Sequence, residues 1–254
     1  IWWRYAIQSN LIFPQPPMAQ VGSLDSFKPA QVCYTARLDS FTARPMQVKI
    51  CGITRPQDGV AAIAAGADAL GLVLWPGSKR AVSLQQARAV CRELPPFSTV
   101  VALMVNPTHA EVDAALGALP INLLQFHGDE TADFCERWPV PYIKALRAQA
   151  PDALLEGAAA YPKARGFLVD SVHNGQFGGT GKAFDWSLLP RQFPHALVLA
   201  GGLDPDNVAN AVRSVRPAAV DISSGVESAP GIKDDDKMRR FVAAAKTASK
   251  ELTP

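Results

Sequence analysis

A cysteine and an aspartate, each at the end of a short apolar run, are the residues of this chain best suited to moving protons. Cys51 ends the run that begins at Val48, and Asp170 ends the run that begins at Gly166. A partly exposed thiol close to Lys or Arg favours the thiolate, and a thiolate can act as a general base. Partial burial raises the pKa of a carboxyl group, which suits it to be a general acid. We therefore interpret Cys51 and Asp170 as a candidate base and acid.

Both residues also have an ordinary structural interpretation. Buried cysteine is most often a small hydrophobic residue, and burial alone would assign Cys51 to the core. An isolated aspartate is usually a helix cap or one partner of an ion pair. The place of each residue at the end of a predicted strand favours a function in both cases. Cys91 and Cys135 lie inside helix-like stretches and are assigned to packing.

Two segments of small residues could hold a phosphate group. The first is Gly201-Gly202, ahead of a predicted helix, and the second is Ser223-Ser224-Gly225, after the last apolar run. Small residues let backbone N–H groups and hydroxyls approach an anion closely. Tight turns alone would also explain the glycines, and this alternative stays open.

A third glycine-rich segment, Gly178-Gly179-Thr180-Gly181-Lys182, is not a nucleotide-binding P-loop. Gln176 stands where that motif needs its first glycine, and Ala183 stands where it needs Ser or Thr. The length of the segment predicts a mobile loop that covers the site when ligand binds. A merely flexible loop is the alternative.

Arg80 and His127 are weaker candidates. An arginine fork matches a carboxylate in bidentate geometry, so Arg80 could bind an acidic ligand, although a solvated loop charge is the alternative. His127 lies between an apolar run and Gly128, where a supporting or structural role is expected. The other histidines have no spacing typical of a metal site.

The elements that must position these residues alternate along the chain as repeated βα units. Strands are predicted near 47–51, 68–74, 99–105, 121–126, 141–146, 166–170, 196–200 and 218–222. Helices are predicted near 56–65, 83–93, 108–116, 130–137, 151–160, 186–190, 205–214 and 234–249. Eight units of about 26 residues fit a (β/α)8 TIM barrel, whose active site lies at the carboxyl ends of its strands. A doubly wound open sheet is the alternative.

Composition excludes several function classes. With 48% hydrophobic and 19% charged residues and a mean hydropathy of +0.04, the chain has the composition of an ordinary globular protein. The net charge of +2 is carried by residues 1–45, and the neutral remainder argues against a nucleic-acid partner. No apolar run is long enough for a membrane span. The four cysteines form no C-x-x-C pair, so we expect reduced thiols in a cytoplasmic protein.

Residues 1–45 differ from the rest of the chain. They show neither helical nor strand periodicity and lack the apolar core of a signal peptide. Met46 directly precedes the first predicted strand, so we expect an N-terminal extension of 1–45 that is disordered or not native, followed by a barrel domain of 46–254. A mitochondrial presequence is disfavoured because Asp25 and Asp39 interrupt the segment.

Seven motifs, in this order, resemble those of the phosphoribosylanthranilate isomerase family over residues 46–252. They are Lys49-Ile50-Cys51-Gly52-Ile53-Thr54, Ser78-Lys79-Arg80, Gln125-Phe126-His127-Gly128, Leu168-Val169-Asp170-Ser171, Gly178-Gly179-Thr180-Gly181-Lys182, Gly201-Gly202-Leu203 and Asp221-Ile222-Ser223-Ser224-Gly225-Val226-Glu227. The extension has no counterpart in the family.

The resemblance implies a single-domain barrel that catalyses an Amadori rearrangement in tryptophan biosynthesis, without metal or cofactor. It implies that Cys51 is the general base and Asp170 the general acid. It also implies that Arg80 contacts the anthranilate group and that Asp221 lies beside the substrate. The expected partner is a small phosphorylated substrate, with neither nucleic acid nor membrane, and the expected assembly is a monomer, with a dimer as the alternative.

Two other function classes remain to be weighed. One is another phosphate-binding barrel enzyme of the same pathway or of histidine biosynthesis, which would lack this pairing of cysteine and aspartate. The other is a non-catalytic phosphosugar-binding barrel. Because a pure binding protein needs neither Cys51 nor Asp170, the presence of both favours the isomerase.

Overall fold

The structure is a computed structural model that describes residues 46–147, 150–170, 186, 189–190 and 193–252. The expected extension 1–45 and the glycine-rich segment 178–182 lie outside the described residues, as do Cys33 and His173.

Eight parallel strands form a closed barrel in which each strand pairs with the next along the chain and the last pairs with the first. The strands are β1 (Gln47–Cys51), β2 (Ala69–Val73), β3 (Thr99–Met104), β4 (Leu123–Phe126), β5 (Tyr142–Arg147), β6 (Phe167–Asp170), β7 (Leu197–Leu199) and β8 (Ala219–Ile222). The predicted (β/α)8 barrel is confirmed, and closure of β8 on β1 excludes the open sheet.

The strands are continuous apolar runs because each is buried on both faces, by the barrel interior and by the surrounding helices. Ile50 on β1, for example, is fully buried and pairs in register with Leu70 on one side and Ile222 on the other. Side chains alternate between the two faces, so every second residue of a strand faces the barrel interior.

Seven α-helices surround the described part of the barrel. They are α1 (Pro56–Ala64), α2 (Leu84–Glu93), α3 (His109–Ala118), α4 (Ala132–Cys135), α5 (Pro151–Ala159), α6 (Val208–Val215) and α7 (Asp235–Lys250). Ser83 and Gln86 form a capping box at the start of α2, and Thr108 and Glu111 form another at α3. No helix among the described residues combines the length and the apolar character that crossing a membrane requires.

One predicted helix differs from the structure, and another lies partly outside the described residues. The helix expected at 130–137 is limited to Ala132–Cys135, because Thr131 caps its start and Pro139 disfavours helical backbone at Trp138. The helix expected at 186–190 falls in a region of which only Trp186, Leu189 and Pro190 are described.

A two-stranded hairpin between β8 and α7 was not predicted. It consists of β9 (Glu227–Ala229) and β10 (Ile232–Lys233), joined by a turn at Pro230-Gly231. The hairpin is tied to the first βα unit, since the hydroxyl of Thr54 donates to the carbonyl of Gly231 and the N–H of Lys233 donates to Asp58 Oδ2 at 3.1 Å. The last unit of the barrel is thus held to the first at the carboxyl ends of the strands.

Candidate active site

Cys51 lies at the carboxyl end of β1 and is only 4% exposed, packed with Val73 and Leu103. The expectation of a partly exposed thiol is therefore wrong, because apolar side chains of β2 and β3 cover it. Lys49, two residues earlier on β1, faces the same interior.

Gly71 on the adjacent strand β2 creates the space that these two side chains share. A Cβ atom at this position would lie 2.6 Å from Cys51 Sγ and 3.0 Å from Lys49 Nζ. The sulfur and the ammonium group therefore meet over a backbone that carries no side chain. Lys49 was not predicted as a site residue, although a lysine inside an apolar strand, two residues before Cys51, indicates a side chain on the same face of that strand.

Lys49 is held by Asp221 of β8. The two residues are in register on paired strands, and Lys49 Nζ lies 2.9 Å from Asp221 Oδ1. Both are buried. Burial opposes the charge of Lys49, but the Asp221 carboxylate and the Cys51 sulfur outweigh it, so the pKa of Lys49 lies above its ordinary value. Lys49 is therefore an ammonium ion across the physiological pH range.

The pKa of the Cys51 thiol is raised by burial, which disfavours the charged thiolate. Lys49 opposes this effect by its charge and by hydrogen bonding, Asp221 adds to it, and Lys233 opposes it. The protonation of Cys51 is thus set by a balance between an apolar wall and the charges beside it.

A second buried group of charges joins the loop after β2 to the unpredicted hairpin. Arg80 binds Glu227 in bidentate geometry, with Nε and Nη2 each 2.7 Å from a carboxylate oxygen. Lys233 Nζ lies 2.9 Å from Glu227 Oε1 and donates to the carbonyl of Ser223 at 3.1 Å. Although burial opposes its charge, Arg80 and Lys233 hold the pKa of Glu227 below its ordinary value.

Arg80 thus holds a carboxylate in bidentate geometry, and in this structure that carboxylate belongs to a protein residue, Glu227. Glu227 and Lys233 were not found from the sequence as site residues. The Pro230-Gly231 dipeptide, a common turn signal, was the feature that could have indicated the hairpin that carries them.

Asp170 ends β6 on the other side of the barrel, three strands from β1. His127 Nε2 lies 3.9 Å from Asp170 Oδ2, and His127 Nδ1 lies 3.0 Å from the side-chain amide of Gln125. Burial, together with the charges of Lys49, Lys144 and Arg147, lowers the pKa of His127 to about 4. The ring is therefore neutral at pH 7, and it lies beside Asp170 as a dipole and not as a cation.

The two expected phosphate segments meet after β7 and β8. Gly201 and Gly202 have φ values of 82° and 65°, which glycine adopts readily, and a Cβ on Gly225 would collide with the carbonyl of Leu203. The hydroxyl of Ser223 donates to the carbonyl of Cys51 at 3.0 Å, so this side chain is bound to β1. Within the described residues, the backbone N–H groups of Gly202 and Ser224 have no acceptor.

No group of three or more His, Cys, Asp or Glu side chains in the described part of the chain could hold a metal ion.

The substitution Gly71→Ala is expected to lower kcat about 10-fold to 100-fold. Its methyl group would have to displace the Cys51 sulfur or the Lys49 ammonium, and overpacking of this kind also costs about 1 to 3 kcal/mol of stability. Steady-state kinetics and thermal unfolding would measure the two effects.

Gly117→Ala in α3 is the matched control, since a Cβ there meets no atom within 4 Å. It should leave kcat unchanged and raise stability by roughly 0.4 to 1 kcal/mol. An unchanged kcat in Gly71→Ala would contradict the description of a shared space over Gly71.

Comparisons with known proteins agree with this geometry. Residues 48–244 match the family described as N-(5'-phosphoribosyl)anthranilate (PRA) isomerase. The curated N-(5'-phosphoribosyl)anthranilate isomerase of Pseudomonas fluorescens strain Pf0-1 is 54% identical over 198 residues, which are 78% of this chain and 97% of that protein. The enzyme of Dechloromonas aromatica strain RCB is 51% identical over 206 residues, 81% of this chain and 99% of that protein.

Solved structures give the same result. Phosphoribosyl anthranilate isomerase from Thermotoga maritima has a TM-score of 0.74 at 40% identity and covers 80% of this chain and 99% of its own. A phosphoribosyl anthranilate isomerase in complex with reduced 1-(o-carboxyphenylamino)-1-deoxyribulose 5-phosphate has a TM-score of 0.71 at 38% identity, with the same coverage. As its ordered motifs predict, the chain belongs to the N-(5'-phosphoribosyl)anthranilate isomerase family.

Proposed function

We propose that Cys51 and Asp170 are the general base and general acid of the reaction for which the family is named. That reaction is the Amadori rearrangement of N-(5'-phosphoribosyl)anthranilate to 1-(2-carboxyphenylamino)-1-deoxyribulose 5-phosphate, a step of tryptophan biosynthesis. Family membership and the relative solved with the reduced form of this product support the same substrate for this chain.

In the proposed mechanism Asp170 protonates the ring oxygen of the ribose, and the ring opens to a Schiff base. The thiolate of Cys51 then removes the proton from C2, which gives an enolamine that tautomerises to the ketone. One acid and one base suffice for both steps. Support comes from the positions of the two residues at the carboxyl ends of β1 and β6, where barrel enzymes place their reacting groups.

The rest of the substrate is held by groups at the same end of the barrel. We assign the 5-phosphate to the segments Gly201-Gly202 and Ser223-Ser224-Gly225, through backbone N–H groups such as those of Gly202 and Ser224. Binding the phosphate orients the sugar between acid and base, so remote binding energy lowers the barrier. We also propose that Asp221 lies beside the substrate.

Arg80 is assigned to the carboxylate of the anthranilate group. Its bidentate contact with Glu227 supports this assignment, because it shows the fork already arranged for a carboxylate. Substrate would either replace Glu227 or bind at the nitrogen that Glu227 does not use.

One observation carries the proposal: a buried thiol beside an ammonium ion shares the barrel end with Asp170, an arrangement that a binding protein does not need. The test is turnover by the intact chain, followed as the loss of substrate fluorescence. Conversion to product is expected. Binding of the reduced form of the product without any turnover of substrate would favour the phosphosugar-binding barrel instead.

We also propose that residues 46–254 form the barrel isomerase domain and that 1–45 are dispensable for turnover. The family match begins at residue 48, and 198 and 206 residues of this chain suffice to cover 97% and 99% of two relatives. Deletion of 1–45 is therefore expected to leave kcat, KM and the thermal unfolding midpoint unchanged. A truncated protein that is insoluble or slower than the intact chain would contradict this proposal.

For the remaining properties we propose a monomer in the cytoplasm, with a dimer as the alternative. Cys51, Cys91 and Cys135 are free thiols, which favours a reducing compartment. The Thermotoga maritima isomerase is a dimeric relative from which monomers were generated, so sedimentation of this chain decides between the two assemblies.

A further inference from the structure

We propose that Lys49 is a positioning residue that stabilises the thiolate of Cys51, with Asp221 holding its ammonium group in place. The inference rests on the proposed role of Cys51 as the general base. A thiol that is packed against apolar side chains needs a nearby positive charge to lose its proton.

Lys49 lies directly beside the Cys51 sulfur. Its Nζ and the Cys51 sulfur share the space over Gly71, and β1 directs both side chains to the same interior. Lys49 has no freedom to leave, since its Nζ is bound to Asp221 at 2.9 Å and both residues are buried. A charge fixed in a site of low dielectric acts more strongly on a neighbouring ion than it would in water.

The other two cations near Cys51, Lys233 and Arg80, are hydrogen-bonded to other groups. Lys233 Nζ has three acceptors, Glu227 Oε1, the carbonyl of Ser223 and the hydroxyl of Ser223, at 2.9, 3.1 and 3.5 Å. The guanidinium of Arg80 faces Glu227 in bidentate geometry. Among the described residues, Asp221 is the only oxygen acceptor of Lys49, which leaves N–H groups for the sulfur.

The charged groups that face Cys51 come from four elements: Lys49 on β1, Asp221 on β8, Lys233 on β10 and Arg80 in the loop after β2. Cations in this set favour the thiolate and therefore lower the pH at which it forms, whereas Asp221 acts in the opposite direction. Loss of Lys49 should therefore move thiolate formation to higher pH, and loss of the Asp221 charge should move it to lower pH.

The test measures the pH profile of Cys51 alkylation by iodoacetamide, read by mass spectrometry of the peptide that contains Cys51. Each profile is scaled to its own plateau at high pH, which removes differences in access to the buried sulfur. In Lys49→Met the midpoint is expected to rise by at least one pH unit, so that alkylation below the midpoint slows about tenfold or more. Lys246→Met is the matched control, because Lys246 pairs with Asp68 on the outside of the barrel, and it should leave the profile unchanged.

Asp221→Asn is expected to shift the midpoint in the opposite direction, to lower pH, and so to speed alkylation at low pH. A merely structural role for Lys49 and Asp221 would move both profiles in the same direction. Lys49→Met leaves the buried Asp221 unpaired and could fail to fold for that reason. The double variant Lys49→Met/Asp221→Asn removes both charges of the pair and then serves as the test. Its midpoint should still lie above that of the unaltered enzyme, and an equal or lower midpoint overturns the proposal.

The alkylation assay needs no substrate and so separates this inference from the proposed function. If the alkylation midpoint of Lys49→Met is unchanged while Cys51→Ala abolishes turnover, Lys49 does not have this role and the catalytic assignment stands. If the alkylation midpoint rises but the pH profile of kcat does not, Lys49 acts on Cys51 as proposed and Cys51 is not the base.

Discussion

Replacing Cys51 by alanine is expected to lower kcat roughly 1000-fold, within the range of about 10² to 10⁴ typical of a lost general base. The sulfur is the group proposed to take the proton from C2, and no other residue of β1 can replace it. The rate is measured as the loss of substrate fluorescence. The fold should persist, because the substitution removes one buried atom from a small cluster with Val73 and Leu103.

Binding and a matched cysteine variant are the controls for this result. Affinity for the reduced form of the product should stay within a few-fold of the unaltered enzyme, since the proposed phosphate segments after β7 and β8 are untouched. Cys91→Ala, in α2 and only partly buried, should leave kcat unchanged. Full activity in Cys51→Ala would refute the assignment of the base.

Replacing Asp170 by asparagine should lower kcat by a similar factor, about 10² to 10⁴. Asparagine has nearly the same shape and keeps polar contact with His127, but its amide cannot deliver a proton to the ribose ring oxygen. The loss should appear in kcat more than in KM, because the interaction removed belongs to the transition state. Asp152→Asn, at an exposed position in the first turn of α5, is the control and should be as active as the unaltered enzyme.

The two variants also differ in which step they stop. With substrate deuterated at C2, the unaltered enzyme is expected to show an isotope effect on kcat, because Cys51 breaks the C2–H bond in the limiting step. Asp170→Asn should show a smaller isotope effect, because ring opening then limits the rate. A large isotope effect in Asp170→Asn would contradict the order of steps. Retention of full turnover by Asp170→Asn would remove this residue from the mechanism.

The barrel was predictable because its strands are continuous apolar runs, and the place of Cys51 and Asp170 followed from the rule that reacting groups lie at the carboxyl ends. Both inferences use local patterns, and β1 was predicted with its observed bounds. The helix after β4 was predicted too long, since the chain leaves the helix after Cys135 and forms a turn at Glu136 and Arg137.

The charges around Cys51 were not predictable in the same way. Lys49 and Asp221 are 172 positions apart, and Arg80 and Glu227 are 147 apart, so their pairing leaves no periodic signal in the sequence. The burial of Cys51 likewise depends on β2 and β3, not on its own strand. A single sequence indicates which residues lie at the carboxyl ends of the strands. The charged neighbours that set the protonation of these residues are brought together only when the barrel closes.

The hairpin of β9 and β10 has a consequence for how the enzyme becomes active during synthesis. Lys49 and Cys51 leave the ribosome with the first strand of the barrel, whereas Asp221, Glu227 and Lys233 follow about 170 to 180 residues later. The charges that hold Lys49 and Arg80 are therefore supplied only when the final unit docks on the first through Asp58. A nascent chain that contains Cys51 but lacks β8 and the hairpin has no fixed ammonium beside the thiol, so we expect isomerase activity to appear only when the fold is complete.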